Sequence, residues 1–231
     1  MIRQSETLAR FALFRSLEPE LKHRLDSQCI WRRAKANEWV LDYEEQSVDL
    51  FFVVFGRLRV TIRPISGSEI ILRDIRDGEF FGELAALDGR PRSAGVMAMT
   101  DSVIARMTPA MFRDTVHRHP DVCDQLLALL ASQVRMLASR VREFSTFDVR
   151  HRIYSELLRL AHAQPQGEEM KIAPPPTHAE IAARVSTHRE AVSRELKRLE
   201  RAGLIVRRRG AIVLLKPSEL TARIEQAFPA A

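Results

Sequence analysis

Three features of the chain predict an α+β fold: a strand-rich first half, a long helix with an apolar stripe, and a basic C-terminal part. From Trp39 to Met107, short β-prone segments alternate with Gly and Asp turns. Leu127, Leu130, Val134, Leu137, Val141 and Phe144 then recur at spacings of three and four, the period of one helical face. Finally, Thr177 to Ile205 reads as two short helices meeting at a tight turn, with a β-hairpin after them. The 231 residues suffice for two domains with separate cores. The expected division is a β-roll domain over 1–118, a helix and hinge over 119–147, and a C-terminal domain over 148–231.

The first half opens with a short helix expected within Glu20 to Gln28. Leu50 to Phe55, Leu58 to Ile62, Ile70 to Leu72 and Val103 to Met107 are its clearest strands. Gly56, Ser66-Gly67, Asp77-Gly78 and Asp88-Gly89 mark turns, a spacing that suits a small antiparallel barrel or double-sheet roll. Within it, Phe80 to Ala94 reads FFGELAALDGRPRSA as a loop. Gly82 permits close backbone approach, and Glu83 offers a carboxylate to a hydroxyl donor. Arg92 brings the planar fork that grips a phosphate, beside the Ser93 hydroxyl. Those groups fit a ligand with both a phosphate and a hydroxyl. On the chemistry alone, a Gly-rich surface loop with a Glu–Arg ion pair fits as well.

The long helix is expected to begin near Pro120. Its stripe runs nearly three heptads and marks either a two-stranded coiled coil or a face packed on the β-roll. A period nearer 3.5 than 3.6 favours a partner helix, and hence a homodimer through residues 127–144. Phe144 to Asp148, FSTFD, interrupts the stripe and reads as a hinge, and the proline-rich Gln164 to Pro176 reads as a surface loop.

In the C-terminal part, Thr177 with Glu180 and Thr187 with Glu190 both have the spacing of a capping box. Ala182, Val185, Val192, Leu196 and Leu199 give each helix a face to bury. The second helix then presents Arg189, Glu190 and Arg194 near its N-terminal end, which in a helix-turn-helix enters the major groove. Leu204 to Val206 and Ala211 to Leu215 flank Arg207-Arg208-Arg209-Gly210, a wing whose arginines suit phosphates. From Asp148 to Lys216 there are 14 Lys/Arg against 8 Asp/Glu, so this segment carries the whole net charge of +6. A polyanion is the expected partner of this part alone. The plainer alternative is a helical hairpin with a charged, solvated face.

Several chemistries lack their residues. Cys29 and Cys123 are far apart and form no CxxC, which fits a reducing cytoplasm and excludes a four-thiolate iron–sulfur cluster. The strand region holds no His, so neither a metal centre nor an axial haem ligand is expected there. Ser93 has no nearby His to act as base, so no enzyme is expected. No apolar run approaches a membrane span and no signal-peptide pattern opens the chain, so the expected location is the cytoplasm.

Together, the strand-rich half, GELAALDGRPRSA, the long helix and the winged helix-turn-helix resemble the CRP/FNR family of bacterial transcription regulators, from about Glu20 to about Lys216. That resemblance implies a cyclic-nucleotide-binding β-roll, a dimerisation helix and a DNA-binding domain. Glu83 would take the ribose 2′-hydroxyl, and Arg92 and Ser93 the cyclic phosphate, with Gly82, Leu84 and Ala94 beside them. REAVSR, Arg189 to Arg194, resembles the recognition helix of the cAMP receptor protein branch, which implies a palindromic operator with TGTGA-like half-sites. Arg189 and Arg194 would read guanines and Glu190 a cytosine. Thr177, Thr187, His188, Lys197 and Arg208 complete the expected DNA-contacting set, and contact with RNA polymerase is a further expectation. The chain departs from the family at the base-reading end. Leu137 and Ala138 stand where cAMP-responding members supply hydroxyls, and Gln133 where an Arg braces the ribose-binding Glu. The implied effector is cAMP or cGMP. Effector-free regulation and a nucleotide-binding module with incidental DNA binding stay open.

Overall fold

A computed structural model describes residues 7–63, 69–163 and 169–227. The turn expected at Ser66-Gly67 and the start of the 164–176 loop lie outside the described residues. Two short 3-10 turns, Leu8–Arg10 and Ala12–Phe14, lead into α1 (Pro19–Gln28). Strands β1 (Ile30–Ala34), β2 (Trp39–Leu41), β3 (Leu50–Phe55), β4 (Arg57–Ile62), β5 (Ile70–Arg76) and β6 (Phe80–Phe81) follow. After α2 (Glu83–Asp88) come β7 (Gly95–Ala98), β8 (Ser102–Met107), α3 (Pro109–Arg118) and the long α4 (Pro120–Thr146). The remaining elements are α5 (Val149–His162), β9 (Lys171–Ile172), α6 (His178–Val185), α7 (Arg189–Arg201), β10 (Ile205–Arg208), β11 (Ala211–Leu214) and α8 (Pro217–Ala227).

The chain forms two compact units, Met1–Gln133 and Val134–Ala231, so the boundary falls within α4. In the first, two antiparallel four-stranded sheets, ordered β1-β8-β3-β6 and β2-β7-β4-β5, make the expected roll. The sequence of β3, LFFVVF, shows why it holds together. Leu50, Phe52 and Val54 enter the core beneath the helices, while Phe51 and Val53 enter the core between the sheets. A strand buried on both faces reads as an unbroken apolar run, which is why this one stood out. By contrast, β1 is an edge strand with Arg32 and Arg33 exposed, and it carries no alternation that sequence reading could detect.

Two local expectations are corrected here. Phe80 to Ala94 is not simply a loop, because β6 and the helical turn α2 occupy its first half and Asp88-Gly89 ends that helix. The proline-rich segment also contributes β9, which pairs Ile172 with Ile212 of β11 and widens the wing to three strands.

The second unit has its own core, in which Ile153, Tyr154, Leu157, Ile181, Val192, Leu196 and Leu199 are all within 1% of fully buried. Buried charges tie its helices together. Glu156 of α5, 2% exposed, accepts from Arg140 of α4 at 2.8 Å and from Arg159, while Arg159 also grips Glu143 at 2.6 and 2.8 Å. Arg140 donates in addition to the carbonyl of Arg184 in α6. Phe144, the last residue of the apolar stripe, has the guanidinium groups of Arg140 and Arg152 at 5.1 and 5.4 Å from its ring centre.

Only one of the two capping boxes forms. Thr177 caps α6, its hydroxyl accepting from the Glu180 amide at 3.2 Å while the Glu180 carboxylate accepts from the Thr177 amide at 2.7 Å. Thr187 does not cap α7. Its amide donates to the Ala182 carbonyl at 3.0 Å, closing the end of α6 around left-handed Ser186, and the N-cap passes to His188, whose side chain makes no capping bond. The Thr187 N–H that a capping box would offer to Glu190 is already bonded to Ala182, so the box does not close. Thr177→Ala is expected to cost about 1 kcal/mol, and Thr187→Ala less than about 0.5 kcal/mol, as read from urea denaturation midpoints.

Candidate functional site

The first cluster of candidate residues forms where β6 turns into α2. Gly82 has φ +85°, a left-handed conformation that L side chains rarely adopt. A Cβ there would lie 2.7 Å from Arg92 Nη1 and 2.9 Å from the Asp49 carbonyl. This close approach lets Arg92 sit 3% exposed beneath the turn. Its Nη1 donates to the Gly82 carbonyl at 3.2 Å, Nη2 to the Asp49 carbonyl at 2.8 Å and Nε to Ser47 Oγ at 3.0 Å. The guanidinium also lies 5.7 Å from the centre of the Phe51 ring. Burial draws the Arg92 pKa down, and the negative charges of Glu45, Asp49 and Glu83 oppose that shift.

Glu83 follows directly, 6% exposed, and accepts from Gln133 Nε2 of α4 at 3.3 Å. Gln133 therefore does reach Glu83, as a neutral donor. Ala94 is buried with Arg92, while Ser93 and Leu84 face outward, Leu84 being 46% exposed. Leu137 and Ala138 are exposed on α4, one helical turn beyond Gln133, and offer no side-chain hydrogen bond.

A buried carboxylate and a buried guanidinium flank a turn that tolerates no Cβ, an arrangement able to accept from a hydroxyl and to donate to a phosphate. Among the described residues, no group of His, Cys, Asp and Glu is placed to hold a metal ion.

The second cluster lies on α6, α7 and the wing. His188, Arg189, Glu190, Arg194 and Lys197 are all exposed, on the side of α7 opposite buried Val192, Leu196 and Leu199. Thr177 is exposed at the start of α6, and Thr187 is half-buried in the turn. On the wing, the three arginines are not equivalent. Arg207 makes a two-pronged pair with Glu200, both contacts at 2.7 Å, and Arg208 pairs with Glu169 at 2.9 and 3.0 Å. The turn itself is Arg209-Gly210, with Gly210 at φ +79°. Sequence reading placed all three arginines at the tip and singled out Arg208. The register Arg208 with Ala211 leaves Arg209 as the residue at the turn.

Three functional candidates were missed. Ser47 and Asp49 hold Arg92 from an irregular segment that carries no motif. His178, at the first position of α6, bonds to Ser193 of α7 at 3.0 Å; only its place beside the capping Thr177 marks it in the sequence.

A nucleotide-binding roll and a winged helix-turn-helix on one chain define a class, that of DNA-binding regulators with a cyclic-nucleotide-binding domain. Family models agree with that class, a cyclic nucleotide-binding domain matching residues 31–119 and a Crp-like helix-turn-helix domain matching residues 151–223. The cAMP-activated global transcriptional regulator CRP of Escherichia coli O6:H1 is 32% identical over 185 residues, covering 78% of this chain and 86% of that protein. The CRP-like cAMP-activated global transcriptional regulator of Mycobacterium tuberculosis is 28% identical over 220 residues, covering 94% and 98%. Among solved structures, the Thermus thermophilus catabolite activator protein matches with TM-score 0.53 at 28% identity, covering 95% of this chain and 99% of that one. A CooA variant from Carboxydothermus hydrogenoformans shares the fold, with TM-score 0.79 at 19% identity over 96% of this chain and 99% of that one. The chain belongs to the CRP/FNR family of transcription regulators.

Gly82→Ala forces both the left-handed backbone and the Arg92 contact to give way. It is expected to destabilise the first unit by about 1–3 kcal/mol, measured by urea unfolding of the full chain.

Proposed function

We propose that this chain is a homodimeric, effector-gated transcription regulator of the cytoplasm, with cAMP or cGMP as its effector. The observation that carries the reading is the pairing of buried Glu83 with buried Arg92 around Gly82, on a chain that ends in a winged helix-turn-helix. Glu83 and the backbone around Gly82 and Leu84 would take the ribose, and Arg92 with Ser93 and Ala94 the cyclic phosphate. Arg92 would exchange its carbonyl partners for phosphate oxygens, a gain because charge-assisted bonds are the stronger. Relatives whose names state cAMP activation support this effector class.

Dimerisation through α4 is supported by the exposure of Leu127 (57%), Val134 (65%), Leu137 (53%) and Val141 (65%) along one stripe. An apolar stripe of that length on a helix face calls for a covering surface. Leu130 is the exception, since it packs partly on the core of the roll. Two copies of the recognition helix then suit a palindromic, TGTGA-like operator, with RNA polymerase as the further partner. The gate is a population shift, in which effector binding favours the state that presents both recognition helices one DNA turn apart. None of the proposed steps is enzymatic, and no helix among the described residues is long and apolar enough to cross a membrane.

One observation favours a second reading, an effector-independent regulator. Arg92 already has three protein acceptors, and Leu137 and Ala138 provide nothing to a base. Titration calorimetry of nucleotide-stripped protein with cAMP and, separately, cGMP decides between the two. Saturable binding of either, weakened at least tenfold by Arg92→Ala, is expected under the first reading. Binding of neither, with full operator affinity in nucleotide-free protein, selects the second.

On the DNA side, Arg189→Ala is expected to cost about 1–3 kcal/mol and to relax preference at one base pair. Arg209→Ala is expected instead to weaken all sequences alike and to lower the salt slope by about one. Fluorescence anisotropy over a salt series, with operator variants, reads both effects.

A further inference from the structure

His178 is the one histidine of the helix-turn-helix that joins its two helices, Nδ1 lying 3.0 Å from Ser193 Oγ. Its other ring nitrogen makes no hydrogen bond among the described residues. The groups that face it are cationic in excess: Arg189 and Lys197 of α7 and Arg207 of β10, against Glu200 of α7, which is itself held by Arg207. Arg189 and Lys197 are exposed on α7, as are the candidate base-reading residues Glu190 and Arg194.

We propose that His178 takes up a proton when this face meets DNA, its Nε2–H then donating to a backbone phosphate while Nδ1–H holds Ser193. The inference rests on the DNA-binding reading and adds a contact outside the recognition helix, together with a pH dependence of operator affinity.

The sign follows from the surroundings. In the free protein, burial first and then the charges of Arg207, Arg189 and Lys197 hold the His178 pKa below its ordinary value of 6.5, with Glu200 opposing. A phosphate at Nε2 stabilises the imidazolium and raises the pKa in the complex. Affinity therefore increases as pH falls through the bound value, and levels off below the free value, where both states are protonated. Protonation also fixes the Ser193 bond in one sense, because both ring nitrogens become donors.

The test measures anisotropy with an operator duplex from about pH 8 to about pH 6 at fixed salt. Alongside it, calorimetry in two buffers of different ionisation heat counts the protons taken up. Wild-type affinity should rise about threefold to tenfold per protomer across that range, tenfold corresponding to a one-unit difference between free and bound pKa. His178→Gln retains a hydrogen-bonding group towards Ser193 without the titration, and should be flat with pH and show reduced proton uptake. His178→Arg should be flat at the higher affinity, and His188→Gln should keep the wild-type slope. A flat wild-type profile overturns the inference, as does a wild-type slope in His178→Gln or loss of the slope in His188→Gln. Thermal melts confirm that each variant is folded. If the wild-type chain binds no duplex at any pH, the DNA-binding reading itself falls, and this inference with it.

Discussion

A guanidinium cannot be buried without acceptors, and the candidate effector site is built around that constraint. Arg92 lies inside the roll because three otherwise unrelated points turn oxygen atoms towards it: the carbonyls of Gly82 and Asp49, and the hydroxyl of Ser47. Each of those points is fixed by something else. Gly82 adopts a left-handed turn that no Cβ could share with Arg92, and Asp49 leads directly into β3, buried on both faces. Phe51 of that strand stacks on Phe81 of β6 at 5.1 Å and presents its ring to the guanidinium. The site is thus an outcome of how the two cores of the roll share one strand. Glu83, next in sequence to Gly82, is buried by the same turn.

This arrangement has a chemical consequence. The Arg92 donors are occupied by neutral oxygens, which a phosphate would replace with charged ones, in surroundings where desolvation already disfavours the bare cation. An anion there relieves the cost of burial as well as making new bonds. Under the proposed reading, a site of this kind would favour a phosphate and discriminate little among bases.

Most of the fold was legible because its strongest elements carry strong periodic signals. LFFVVF and the apolar faces of α6 and α7 appear in the sequence at the spacing their burial requires, and the α4 stripe appears at helical spacing although most of it is exposed. What escaped detection was decided by tertiary context. The edge strand β1 has its exposed arginines on show, and the two-residue β9 exists only because β11 offers it an edge. Thr187-x-x-Glu190 has the letters of a capping box, but the backbone of Thr187 is spent on closing α6. At the site, Gly82, Glu83 and Arg92 were readable as types of chemistry, whereas Ser47 and Asp49 were not. Their role is to accept hydrogen bonds across more than forty residues, and no local pattern records such a role. The wing shows the same limit, since the register of β10 on β11 decides which of three adjacent arginines reaches the turn.

The helix α4 contributes to both compact units, and it does so by different physics at its two ends. Val122 and Leu126 are buried in the apolar core of the first unit, and Gln133 reaches Glu83 there. Beyond the boundary, Arg140 and Glu143 join the buried charge cluster around Glu156 and Arg159, and Arg140 holds the carbonyl of Arg184 in α6. Apolar packing is non-directional and tolerates small rotations of a helix, whereas a cluster of paired charges holds only one arrangement well, since a buried charge that loses its partner costs about 3–5 kcal/mol. The C-terminal end of α4 is therefore the end fixed in orientation to the helix-turn-helix. Phe144, the last residue of the exposed stripe, contacts Arg140 and Arg152 beside that cluster. In the proposed dimer, the same few residues would sense the partner helix and hold the DNA-binding unit.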